Sequence, residues 1–510
     1  MTDSQSQART HTITLKPTNV QLTVPAGAPL RDLLFEQGVE FPCGGHGRCR
    51  GCKVRVVEGH AGLNDAQHKL LKPSEIEAGW RLACQLTLDG DLTIELRQWD
   101  AAILADTAAF TFTPREGFGV AVDLGTTTLV AQLLDLSTSD VLAVRTALNA
   151  QARHGADVMS RVGFAVADGG QPVLEKLIRE QIGKLIRDVV HAAGVDAAQI
   201  RDVTIVGNTV MHHLFCGIDI EPLSHYPFEP VNDGLQVFTA RDLGWDFLNG
   251  SPTIRFLPCL GSFVGSDITA GVIATRMHES EKLVALVDLG TNGEMVVGNK
   301  DRMVCASTAA GPAFEGARIS MGMRAATGAI SEVELVNGRL VCRVIGNVEP
   351  TGICGSGLVD AVACGLELGA IQANGRFADK AESWIIMPPV TLSQTDVRQL
   401  QLAKGAIAAG MRLLLEHLGE RPENLSRLYL AGAFGNYINR ASAQRIGLLN
   451  FPLDIIHPAG NTALLGAKMA LFAPDERELY ARIRSRMRHV GLNEDQRFMD
   501  TFVEEMQFPS

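Results

Sequence analysis

Four of the ten cysteines stand where their thiolates can converge on one metal group. Cys43, Cys49 and Cys52 fall in FPCGGHGRCRGCKV with the spacing C-x5-C-x2-C, and Cys84 follows in RLACQ, 32 residues beyond Cys52. Thiolates so arranged bind iron and inorganic sulfide when the loop that carries them can fold around the sulfides and offer them amide donors. Gly44, Gly45, Gly47 and Gly51 provide such a loop. Zinc is the competing occupant, but zinc ribbons pair two CxxC units and this region has one. The spacing points to an iron–sulfur cluster; a bacterial [4Fe–4S] pattern would need its cysteines closer together.

A second chemistry is written twice. Asp123-Leu124-Gly125-Thr126-Thr127-Thr128 and Asp288-Leu289-Gly290-Thr291-Asn292-Gly293 each follow an apolar run, in VAVDLG and LVALVDLG. A tight turn between strands exposes amide N–H groups to phosphate oxygens, and an aspartate at the strand end can hold a hydrated Mg²⁺. Threonine and asparagine side chains add donors. One such turn is also what an ordinary β-turn after an acid looks like, whereas two in matching contexts are far more specific. Leu428–Gly435 (LYLAGAFG) ends a strand in small residues, which suits close approach by a flat nucleoside.

The elements that must position these groups follow from periodicity. His11 to Val24 alternates around Pro17 to Asn19 as a hairpin, Pro29 to Gln37 fits a helix stopped by Gly38, Lys53 to Val57 is a strand, and Leu86 to Leu96 alternates around the Asp89-Gly90 turn. Together they describe an α+β domain over 1–100, with 101–117 as linker. Beyond it, strands such as Val203 to Val206 alternate with helices such as Val173 to Ala193 and Leu400 to His417, which argues for α/β lobes over 118–282 and 283–510, the second ending in a charged helix from Asp475 to Arg488.

The cysteine pattern resembles plant-type and adrenodoxin-like [2Fe–2S] ferredoxins, although its first spacing is one residue longer than the plant C-x4-C; the resemblance implies a β-grasp domain. The two aspartate turns with LYLAGAFG resemble the phosphate and adenosine motifs of the actin, Hsp70 and sugar-kinase superfamily, whose ATP sits between two lobes, and Gly460 to Ala467 looks like its helix crossing back. That likeness implies Asp123 and Asp288 as Mg²⁺-carrying catalytic carboxylates, and Gly125, Thr126, Thr127, Gly290, Thr291 and Asn292 as phosphate contacts. It also implies Gly432 and Gly435, with Gly311, as further nucleotide contacts. Ferredoxin followed by this ATPase, with GNTVMHHLFCGI (Gly207 to Ile218), STAAGPAFEGA (Ser307 to Ala317) and GICGSGLVD (Gly352 to Asp360), resembles the reductive activators of corrinoid-dependent enzymes.

The last resemblance implies an ATP-hydrolysing electron transferase that returns cob(II)alamin to cob(I)alamin in a corrinoid protein or cobalamin-dependent methyltransferase, fed by an upstream low-potential electron donor. A homodimer is among the assemblies it allows. Members from acetogenic carbon fixation carry an additional middle domain, for which the 17-residue linker 101–117 leaves no room. The competing readings are an activator of 2-hydroxyacyl-CoA dehydratases, which holds a [4Fe–4S] cluster between subunits, and a sugar-kinase-like or chaperone-like ATPase with an accessory ferredoxin domain.

Other residues have bland alternatives. Cys259 and Cys354 are expected as packing residues rather than redox relays, and His212 and His213 as structural. Asp157 and Arg161 are spaced as a helical ion pair. Glu315 could touch the nucleotide or merely favour a helix start. The net charge of −11 and 5% aromatic content offer no basic surface for nucleic acid. The polar start, Met1 to Arg9, and the absence of a long apolar stretch lead us to expect no membrane span and a cytoplasmic site.

Overall fold

Period-two alternation buries Ile13 and Leu15 on one face of the strand Thr10–Lys16, and that face seeds the first core. The computed structural model describes residues 10–16, 20–36, 47, 52–95, 110–167, 169–379, 381–473 and 477–509. Thr10–Lys16 pairs antiparallel with Val20–Pro25, Ile13 opposite Leu22; Pro17 to Asn19 and Gly38 lie outside the described residues. The five-stranded β-grasp sheet has the order Val20–Pro25, Thr10–Lys16, Leu92–Glu95, Lys53–Glu58, Trp80–Leu82, with the helix Arg31–Glu36 packed on it.

The expected hairpin at Asp89-Gly90 does not form. Leu92–Glu95 lies instead between Thr10–Lys16 and Lys53–Glu58, pairing parallel to the first and antiparallel to the second. Leu86 and Leu88 turn to the other end of the domain, where their carbonyls accept from the amides of Leu30 and Gly27. A central strand satisfies the backbone of two neighbours, which a local hairpin cannot do. Two helices absent from the periodic reading, Asp65–Leu70 and Pro73–Glu77, carry local signals: Asn64 caps the first and Pro73 opens the second.

Each aspartate turn opens a six-stranded sheet. The first runs Gln236–Phe238, Thr253–Phe256, Ile200–Gly207, Phe118–Leu124, Thr128–Asp135, Val141–Leu148. The second runs Ile456–Gly460, Arg427–Ala431, Val284–Leu289, Gly293–Gly298, Met303–Thr308, Met487–His489. In both, the opening strand pairs antiparallel across its turn and parallel on its other side, with Asp123 beside Val206 and Asp288 beside Ala431. The apolar runs are continuous because both strand faces are covered: Val120 and Val122 meet the core under the helix Gln171–Ala193, while Ala121 joins the core shared with the helices Ser266–Ala274 and Thr462–Phe472.

The helix read as Leu400 to His417 begins earlier, at Gln394, because Ser393 and Asp396 form a capping box. The charged tail is the helix Arg477–Arg486, which buries Tyr480 and Ile483 in the shared core and continues as the edge strand Met487–His489 beside Met303–Thr308.

The two lobes are joined by the helix Thr462–Phe472, which follows the second-lobe strand Ile456–Gly460 and packs on Ser266–Ala274 and on the first-lobe strands. Asn461 caps it, accepting from the amide of Leu464 at 2.8 Å. The crossing is tight: a Cβ on Gly466 would stand 2.0 Å from the carbonyl oxygen of Ala270. Gly466→Ala is therefore expected to cost about 1–3 kcal/mol through overpacking, read as a lower melting temperature; an unchanged melting temperature would contradict the close crossing.

Candidate nucleotide and cluster sites

Strand register explains how cysteines 32 residues apart meet. Lys53 pairs with Leu82, so the residues just before one strand and just after the other lie side by side, and the amide of Ala83 donates to the carbonyl of Cys52 at 2.8 Å. Cys52 is buried and Cys84 half-buried. A hydrogen bond from Cys52 holds the Cys84 thiol down to about 6, helped by Gln85 and by the amide of Gly47; Gln85 Nε2 lies 3.5 Å from Cys84 Sγ. Two adjacent thiols, one of which ionises readily and meets amide donors, fit a sulfur-ligated iron group. Cys43 and Cys49 lie outside the described residues.

The first phosphate turn is gripped from behind. Asn149 donates from its amide to the carbonyl of Thr127 at 2.8 Å and from Nδ2 to that of Gly125 at 2.9 Å, and an Arg161 guanidinium nitrogen donates to the carbonyl of Thr126 at 2.6 Å. Asn208, which caps the helix Thr209–Cys216, donates from Nδ2 to Thr126 Oγ1 at 2.8 Å. Across the cleft, Thr291 Oγ1 donates to Glu315 at 2.6 Å, and Gly290 N donates to the carbonyl of Asn292 at 3.0 Å. Among the described residues none accepts from the amides of Thr126, Thr127, Thr291 or Asn292. Amides left over on two facing turns are what an anionic oligophosphate requires.

Arg161 corrects the expected ion pair. Asp157 instead caps its own helix, accepting from the amide of Ser160 at 2.8 Å, while Arg161 is fully buried and forms no salt bridge among the described residues. Burial pushes the guanidinium down to about 9. The charge of Asp157, which makes no salt bridge to it, offsets this only in part; a buried cation without a paired carboxylate is costly, and its bond to the Thr126 carbonyl puts that charge where a bound phosphate would answer it. Helical spacing alone shows neither the burial of Arg161 nor its bond to the Thr126 carbonyl.

Four buried carboxylates lie close enough for their charges to act on one another. Burial raises Asp123 to about 6, opposed by Asn461, whose Nδ2 donates to Asp123 Oδ2 at 2.9 Å. Asp288 is raised to about 7 by burial and then by the charge of Asp123. Asp267, in the first turn of Ser266–Ala274, and Glu294, directly opposite Asp288 in the sheet, are pushed up by burial and by their acidic neighbours. These two escaped the sequence reading, although cross-strand register places Glu294 on the face of Asp288. Such a cluster calls for a cation. Among the described residues no three acids, histidines or cysteines converge closely enough to cage a metal by themselves, which suits Mg²⁺, an ion that keeps its waters and takes phosphate oxygens.

The sign of the resulting pH dependence follows from linkage. Carboxyls raised in the fold lend stability that is complete below their unfolded values and is lost as pH rises through about 6 for Asp123 and about 7 for Asp288. Without metal the melting temperature is expected to fall from about pH 5 to about pH 8, and the increment given by Mg²⁺ with ATP to grow over the same interval. An increment independent of pH would contradict this.

Gly432, expected as a nucleotide contact, lies at the junction of Arg427–Ala431 and the helix Gly432–Tyr437. Its φ is +85°, and a Cβ there would stand 2.6 Å from Asp288 Oδ1, so only glycine lets this junction lie against the second phosphate turn. Gly435 is buried, and a Cβ added there would stand 3.1 Å from Leu430. Gly311 is half-exposed, and its segment is tied to the junction by Phe314 stacked on Phe434, centroids 4.6 Å apart.

The histidines are structural. His212 Nε2 lies 3.2 Å from the carbonyl of Gly234, His213 Nδ1 2.9 Å from that of Thr209, and burial drives His212 down to about 3. Cys259 and Cys354 are buried, the first with its thiol pushed up by burial and the second 3.3 Å from Ser356 Oγ.

Comparison with known proteins matches three family models end to end. Residues 13–89 match the 2Fe–2S iron–sulfur cluster binding domain, 118–280 the RACo middle region, and 282–510 the C-terminal ASKHA domain of RACo. The chain is 35% identical over 422 residues to the corrinoid activation enzyme RamQ of Eubacterium limosum, covering 77% of this chain and 70% of the relative. It is 28% identical to the [Co(II) methylated amine-specific corrinoid protein] reductase of Methanosarcina barkeri, over 69% of each. A solved structure described as a reductive activator for corrinoid, iron–sulfur protein aligns over 98% of both chains with a TM-score of 0.70 and 28% identity. The stretch 118–280, expected to be the first ATPase lobe with no room before it for a middle domain, is the part that matches the RACo middle region. Among the described residues no helix is long and apolar enough to cross a membrane.

Proposed function

The chain belongs to the reductive activators of corrinoid proteins, and from that premise we propose that it restores a corrinoid protein by delivering one electron from its N-terminal domain to cob(II)alamin, with ATP hydrolysed between the lobes. The observation that carries this reading is the pair of matched strand-end carboxylates, Asp123 and Asp288, on the chain that also brings Cys52 and Cys84 together. A kinase or chaperone-like reading leaves those thiols without a purpose.

Cys43, Cys49, Cys52 and Cys84 would hold the two-iron group, which supplies a one-electron donor near about −400 mV if it behaves as the plant type does. Cobalt in the partner is the substrate, and its Co(II)/Co(I) couple lies lower. Each 59 mV of mismatch is a factor of ten in equilibrium, so nucleotide must contribute. In this reading Asp123 and Asp288 carry Mg²⁺; the turns at Gly125–Thr127 and Gly290–Asn292 hold the phosphates, Arg161 opposes their charge, and Gly432 and Gly311 border the nucleoside. Asn461 links Asp123 to the head of the interlobe helix, which couples phosphate binding to lobe closure. The cytoplasm, with its low-potential donors, is the setting.

Cob(I)alamin, followed by its absorbance, should appear only when reductant, ATP and a corrinoid protein are present together, with phosphate released in step. Equal reduction without ATP would overturn the coupling.

A further inference from the structure

The turn that holds the first phosphate loop also forms the seat of the N-terminal domain. Leu148, at the end of the strand Val141–Leu148, with Ala150 and Ala152 in the 3₁₀ turn Ala150–Arg153 and Leu177 on Gln171–Ala193, packs into the N-terminal domain's apolar core, and Ala150 is only 7% exposed. The helix Arg31–Glu36 touches both that strand and the turn Ala83–Gln85 that carries Cys84. Asn149 sits between the two structures. Toward the nucleotide it donates to the carbonyls of Gly125 and Thr127. Toward the seat its Oδ1 accepts from the amide of Gln151 at 3.0 Å, and its carbonyl accepts from that of Ala152 at 3.0 Å. It is wholly buried, so no water can replace these bonds without opening the turn.

We propose that Asn149 is a positioning residue that fastens the first phosphate turn to the seat of the ferredoxin domain, so that nucleotide binding and domain seating favour each other. This rests on the nucleotide reading above. A turn rigidified by phosphate can no longer shift Asn149, and the seat loses the same freedom. Because coupling is reciprocal, seating strengthens nucleotide binding by the same factor by which nucleotide strengthens seating, so a loosened seat must weaken nucleotide binding, by up to that factor.

Hydrogen exchange on the full-length, anaerobically prepared protein tests this with the Mg²⁺ complex of a non-hydrolysable ATP analogue. In the parent the analogue should slow exchange at 288–293, at 124–128, and also at 30–36 and 148–154. Asn149→Ser keeps a capping oxygen but cannot reach Gly125; it should retain slowing at 288–293, lose it at 30–36, and bind the analogue about fivefold or more weakly, the lower end of the usual coupling range. Ala152→Asp, which alters the seat and changes no residue of the phosphate turn 124–128, should weaken analogue binding similarly. Slowing at 288–293 with 30–36 unaffected in the parent overturns the proposal, as does unchanged affinity in Ala152→Asp. Absence of slowing at both phosphate turns would overturn the nucleotide reading and this proposal with it.

Discussion

A Cys84→Ser protein is expected to leave anaerobic reconstitution without the visible absorbance of a two-iron cluster and to reduce no corrinoid protein above background, while still binding Mg²⁺ and ATP. Serine has nearly the shape of cysteine, so the turn Ala83–Gln85 and its hydrogen bond from Ala83 to Cys52 should persist. What is lost is a soft ligand for which a hydroxyl is a poor substitute. The Cys52 hydrogen bond is the largest cause of the low Cys84 value, so the substitution removes a thiol that the fold holds ready to ionise. The phosphate turns are built by residues 123–128 and 288–293, on other strands. A Cys84→Ser protein that still reduced cobalt would sink the reading, and one that no longer bound nucleotide would contradict separable sites.

The second large effect is expected at Asp288. Asp288→Asn keeps size and shape and removes one charge, which should lower the ATP-dependent rate by about 3 kcal/mol of barrier, roughly a hundredfold. The same change should make the metal-free protein more stable at about pH 8, because Asp288 is crowded there by Asp123 and itself burdens Asp267 and Glu294. Each kcal/mol relieved would raise the melting temperature by about 2–4 °C in a chain of this size. Rate and stability moving in opposite directions mark a site built for a cation. If both fell together, Asp288 would be a structural acid.

The cysteine spacing and the repeated VDLG turns were legible because they depend on local chemistry: a lean loop between thiols, and an acid at the end of an apolar strand. Strand existence was legible for the same reason. Arg161 was not, since spacing four after Asp157 looks like a surface pair until the first lobe folds over it. The small residues of LYLAGAFG look alike in sequence, and only the fold separates Gly432, at positive φ against Asp288, from the buried Gly435 beside Leu430. The Asp89-Gly90 hairpin failed because strand pairing is decided between distant segments: Leu92–Glu95 found Thr10–Lys16 and Lys53–Glu58.

The sequence by itself determined the ligand types, the two phosphate turns and the order of an α+β domain before two α/β lobes, since each is set by residue chemistry and periodicity over a few neighbours. Tertiary structure alone decided that Asp267 and Glu294 join Asp123 and Asp288, that Asn461 reaches across from the interlobe helix, and that Asn149 stands between phosphate turn and ferredoxin seat. These contacts join residues tens to hundreds of positions apart, and the burial that raises the carboxylates, strips Arg161 of water and fixes Asn149 exists only once the sheets have closed over them.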